Sequence, residues 1–168
     1  MRIVTLICLI IFIVLLQSAF LNRLKIAGIG PNFALIAVVL ISLAFDRKKA
    51  LITGVVAGLM LDVFSSMPFG IFTLALILVS LSLNFAKHYL FTHANFAVVL
   101  AAVFLGTVFF DLFIFFLDKI SFAFRFSNQM STSNYNLLYL MPRELLYNLV
   151  AAAVIFLLWK LIRRPLAA

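Results

Sequence analysis

Residues 33–64 read FALIAVVLISLAFDRKKALITGVVAGLMLDVF. Two apolar runs, Phe33 to Phe45 and Ala50 to Phe64, flank Asp46-Arg47-Lys48-Lys49. Four consecutive charges cannot lie at a bilayer centre, so a single long helix is excluded. At 1.5 Å per residue each run spans only about 20–22 Å. Two short transmembrane helices joined by a tight charged turn fit best, with lysines reaching back to the interface. A re-entrant hairpin is the other solution.

The rest of the chain supports a membrane setting. Of 168 residues, 67% are hydrophobic and 11% are charged, against roughly 45–50% and 25% in ordinary globular domains. Mean hydropathy is +1.27. A soluble fold would have no polar surface left for water, so soluble enzymes, disordered regulators and secreted disulfide domains are excluded. The single cysteine, Cys8, cannot form an internal disulfide.

Further apolar runs extend from Ile3 to Leu21, Phe69 to Ala86, about Phe96 to Leu117 and about Arg143 to Ile162. The first follows Arg2 but lacks a clean small-x-small cleavage site, so it reads as an uncleaved helix. Pro68 and Pro142 suit first helical positions, where a missing N–H is harmless. The expected fold is therefore an all-α membrane protein: one domain, residues 1–168, with six transmembrane helices of which the second and third are short. The one long connection, residues 118–141, carries a polar, uncharged stretch from Ser127 to Asn134. Before it, Ile120, Phe122, Phe124 and Phe126 alternate as in an interfacial segment.

The net charge is +8. In short loops, cations fix topology and touch anionic headgroups, and no basic run with interleaved aromatics suggests nucleic acid. With six helices, Arg2, Arg47, Lys48, Lys49, Lys87, Lys160, Arg163 and Arg164 fall on one side. Arg23, Lys25, Lys119, Arg125 and Arg143 fall on the other. The richer side faces the cytoplasm. Both termini are then cytoplasmic and the long loop is extracytoplasmic.

That topology gathers Asn32, Asp62, Asp111, Arg143, Glu144 and Asn148 in the outer half. An ionisable residue inside a membrane helix is a functional candidate by default. Asp111 is the deepest acid, with Thr107 one turn earlier on the same face. These residues read as a polar pocket or a partner-binding surface. Alternatively they satisfy helix ends: Asp62 could accept N–H bonds from the start of helix four. Gly54, Gly58 and Asp62 share one stripe of helix three, where small residues allow close backbone approach. His88 and His93 are the only histidines. No metal-ligand spacing, phosphate loop or catalytic constellation is present, so neither a cofactor nor an enzyme is expected.

Pro31-Asn32, the basic turn, Gly54-x-x-x-Gly58-Leu59-x-x-Asp62, Pro68-Phe69-Gly70 and Glu144 with Asn148 four residues on together resemble the rod shape-determining MreD family. Asn32 departs from the Asp common there, and the Phe-rich outer loop is rather long. The resemblance implies a non-enzymatic subunit of the bacterial cytoplasmic (inner) membrane. It would serve the elongation complex that supports peptidoglycan synthesis and cell shape. The implied partners are membrane lipid, an MreC-like single-span scaffold, a RodA-type glycosyltransferase, a class B penicillin-binding protein and MreB. It also implies a bundle similar to the substrate-binding S subunits of energy-coupling-factor transporters, with Gly70 joining Gly54 and Gly58 at helix contacts. Such a vitamin-transporter subunit is the alternative function. Helix one lacks the Ala-x-x-x-Ala patch those subunits use for docking, which counts against it.

Overall fold

In the computed structural model, residues 3–19, 30–65, 67–90, 95–123 and 137–162 are described. They form six helices: α1 (Ile3–Ala19), α2 (Phe33–Ala44), α3 (Arg47–Phe64), α4 (Ile71–Leu90), α5 (Phe96–Ala123) and α6 (Leu137–Ile162). No strand occurs among the described residues.

α2 is the hub, touching all five other helices. Its sequence explains this position. It is apolar on every face, and Ala34, Leu35, Ile36, Val38, Val39, Ile41 and Ser42 are buried. An all-round apolar helix belongs at the centre of a bundle. By contrast α1 buries only Leu6, Ile10 and Val14, at i, i+4, i+8. Its other face shows Val4, Leu9, Phe12, Leu15 and Leu16 outward. Phe85, Phe104, Phe116, Leu146, Val150 and Leu157 are likewise exposed on other helices. So continuous an apolar exterior suits acyl chains rather than water. Two stretches, Phe96–Ile120 and Met141–Leu158, are long and apolar enough to cross a membrane; Ile3–Ala19, Phe33–Ala44 and Ile71–Lys87 are apolar but shorter.

Several expected boundaries move. α3 begins at Arg47, not Ala50, because Arg and Lys are good helix formers and their heads stay exposed or half-buried. At 18 residues it is about 27 Å long, so α2, at 12 residues, is the short one of that pair. α5 continues through Asp118 and Lys119 to Ala123, taking in Ile120 and Phe122 of the expected interfacial segment. Phe124 and Phe126, like the Ser127 to Asn134 stretch, lie outside the described residues.

Pro142 lies inside α6 instead of opening it. It is the sixth helical residue, so it deletes only one of the first intrahelical bonds. Pro68 does not open α4 either. Its carbonyl accepts from Ile71 N at 3.4 Å, and Gly70 turns the chain with φ +100°. A Cβ on Gly70 would meet nothing within 4 Å. Gly70 is therefore a turn residue holding a left-handed backbone, not the helix contact its place beside Gly54 and Gly58 suggested.

The most extensive interface joins α3 to α4. A Cβ on Gly58 would lie 2.3 Å from Thr73 Cα, and one on Gly54 3.0 Å from the Leu76 carbonyl oxygen. Gly106 plays the same part on α5, where a Cβ would stand 2.7 Å from Val39 of α2.

Candidate functional site: a buried polar lattice around the central helix

A short helix at the centre of an apolar bundle has a difficulty at each end. Four N–H groups and four carbonyls lack intrahelical partners. Side chains of neighbouring helices supply the missing bonds.

At the C-terminal end, Asn84 Nδ2 of α4 donates to the Ser42 carbonyl at 3.2 Å and to the Phe45 carbonyl at 3.4 Å. One turn later, Lys87 Nζ donates to the same Phe45 carbonyl at 2.6 Å. At the N-terminal end, Asn32 Oδ1 caps the helix by accepting from Leu35 N at 3.1 Å, as an Asn at this position does. Gln17 Oε1, from the last turn of α1, accepts from Ala34 N at 2.9 Å. Asn148 Oδ1, from α6, accepts from Asn32 N at 2.7 Å.

Asn148 is the node. It is fully buried, and its Nδ2 also donates to Thr107 Oγ1 of α5 at 3.1 Å. The side-chain amides of Asn32 and Asn148 also act on the half-buried Glu144 carboxylate. One asparagine thus ties α2, α5 and α6 together. Arg143 is half-buried on the same turn of α6.

Asp111 stands one turn beyond Thr107 on α5. It is 1% exposed, neither carboxylate oxygen has a hydrogen-bond partner, and the charge of Glu144 acts on it. Asp62 behaves differently. It is also buried, but Oδ1 accepts from Phe72 N at 3.0 Å, and Oδ2 accepts from Thr73 N at 3.1 Å and from the Thr73 hydroxyl. Its oxygens cap the first turn of α4.

The six residues singled out in the sequence therefore divide. Asn32, Asp111, Glu144 and Asn148 converge between α2, α5 and α6, with Thr107. Asp62 is engaged at the α3–α4 join. Sequence reasoning missed Gln17, Asn84 and the role of Lys87 at the end of α2. The available signal was simple: Gln17 and Asn84 are amides in otherwise apolar helices, and buried polar groups are there to be bonded.

Among the described residues no three His, Cys, Asp or Glu side chains could share a metal ion. What the arrangement does is fix helices against one another where apolar packing alone cannot set register.

No curated protein and no solved structure matches the chain. One family description does match: that of rod shape-determining protein MreD, over residues 1–164. A match that omits only the last few residues takes in all six helices, the central α2 and both ends of the lattice, and the chain belongs to the MreD family, membrane proteins that determine rod shape.

Proposed function

We propose that the protein is a multi-pass subunit of the bacterial inner membrane that supports cell elongation by binding partners and not by catalysis. The observation that carries this reading is the family match over residues 1–164. The proposed arrangement has six membrane-crossing helices with both termini in the cytoplasm and the loop between α5 and α6 outside. The partners proposed are an MreC-like single-span scaffold first, then a RodA-type glycosyltransferase, a class B penicillin-binding protein and MreB. In this reading Asn32, Asp111, Arg143, Glu144 and Asn148 set the mutual placement of α2, α5 and α6. The outer apolar faces meet lipid and the partners' own spans.

Membrane topology has a direct test. A thiol reagent that cannot cross the inner membrane should modify Ser131→Cys in spheroplasts and leave Arg164→Cys untouched. Reaction at position 164 from outside would reverse the orientation.

Partner binding has its own. Native affinity purification from membranes should recover a coiled-coil single-span protein with this one, and depletion in a rod-shaped host should give rounded or widened cells. Normal shape together with lost uptake of a vitamin would move the assignment to the transporter subunit.

A further inference from the structure

We propose that Asp111 and Glu144 form a buried site for one monovalent cation, an alkali-metal ion or a proton, held between α5 and α6. Helix register puts the two carboxyls together. α5 and α6 are joined by the Asn148–Thr107 bond at 3.1 Å. Asp111 follows Thr107 by four residues, and Glu144 precedes Asn148 by four. The two helices run in opposite directions, because consecutive helices in a hairpin do. One turn on along α5 and one turn back along α6 therefore lead the same way. Both acids stand about 6 Å beyond the bond, on facing sides of one interface.

The second observation is the orphan. Asp111 is 1% exposed and both its oxygens lack a donor. Buried side-chain oxygens are almost always bonded, and an exception calls for an explanation. The Asn32 and Asn148 amides act on Glu144. Asp111 keeps its four lone-pair directions open. With Asp111 enclosed and the half-buried Glu144 beside it, two negative charges repel each other and a positive charge between them relieves the repulsion.

Asp62, on α3, is taken up by the start of α4. Asp118 of α5 and Arg143 of α6 each have interactions of their own. From α2 the group presented is the neutral Asn32. Phe72 of α4 meets the adjacent Phe110 at 6.0 Å between ring centroids.

Size and charge narrow the ligand. With Asp111 almost fully enclosed, a partner's lysine or arginine has no approach. Divalent ions such as calcium take six to eight oxygens, several of them carboxylate, and no third acid joins this pair. A single positive charge, with Thr107 Oγ1 as a further oxygen, fits. The inference does not depend on which partner the protein carries, and its test reads the isolated protein.

The experiment is thermal unfolding of the purified protein in detergent, with two series run at constant ionic strength. In the first, choline chloride is replaced by lithium, sodium or potassium chloride at fixed pH. In the second, pH is lowered from 8.5 to 6 in choline chloride alone. An alkali ion gives a midpoint that climbs about 4 °C per tenfold rise in ion above its dissociation constant. A proton gives a midpoint that climbs only in the pH series, because a native state that binds the extra proton gains stability as pH falls. Asp111→Asn and Glu144→Gln should each flatten the responsive series. As a second readout on the wild type, a membrane-soluble carbodiimide should label Asp111 or Glu144, and alkali ion or high pH should suppress the adduct. A wild-type midpoint and adduct yield that move with neither salt nor pH overturn the proposal. So does a response shared equally by the wild type and both variants.

Discussion

Gly58→Ala should remove the protein from membranes. The added methyl carbon would lie 2.3 Å from Thr73 Cα and 2.9 Å from Thr73 N. These are backbone atoms, which cannot rotate aside, so α3 and α4 must separate along their most extensive interface. Overpacking costs typically about 1–3 kcal/mol, and with rigid atoms opposed we expect about 3 kcal/mol, a large part of the 5–15 kcal/mol that holds a typical protein folded. Separation would also draw the first turn of α4 away from Asp62. Gly54→Ala is the graded control. Its methyl would meet the Leu76 carbonyl oxygen at 3.0 Å and Ser80 Oγ at 3.2 Å, and we expect about 1 kcal/mol. Immunoblots of membranes from matched cultures should show Gly58→Ala near background and Gly54→Ala reduced. Normal abundance of Gly58→Ala with loss of a co-purifying protein would instead mark this face as a docking surface.

Asp62→Ala is expected to be the second most damaging change. It removes the acceptor for Phe72 N, Thr73 N and the Thr73 hydroxyl together, at a site only 4% exposed. Each buried donor left unpaired costs about 1–3 kcal/mol. With the hydroxyl free to rotate toward another acceptor, we expect a loss of about 3 kcal/mol for the set. Asp62→Asn keeps one carbonyl oxygen and should recover about half. The midpoint of unfolding in detergent orders the three proteins: wild type, Asp62→Asn, Asp62→Ala. Equal midpoints for all three would mean that the cap contributes nothing.

The sequence made some of this visible and hid the rest for identifiable reasons. For Asp62 the sequence left two readings open, a pocket residue or a cap on helix four, and the structure has the cap; that alternative was legible because both halves of the contact lie within eleven residues and obey a local rule of helix starts. The stripe of Gly54 and Gly58 was legible as a contact, since spacing alone puts both on one face. The limits of α5 and α6 were not. Asp118 and Lys119 resemble a terminus, yet a helix end need not stop at the first charge. Pro142 resembles a beginning, yet an early helical position tolerates it. Least legible was the centre. That α2 would be ringed by the others follows from its uniform hydrophobicity only once the other five helices are in place. The division of labour between the two acids depended on which one the asparagines reach, and that is a property of the assembled interface.

The bond from Asn32 N to Asn148 spans 116 residues of chain. While the protein is being made, this one bond at the entrance of α2 therefore waits for almost the whole polypeptide, whereas those to Gln17 and within Asn32 to Leu35 do not. Until α6 emerges from the ribosome, the Asn32 N–H lacks the acceptor that the finished fold gives it. Contacts of such long range are also the slow ones to form. A chain cut short before α6 would retain α1 to α5 and still lack the Asn148 acceptor at the entrance of α2.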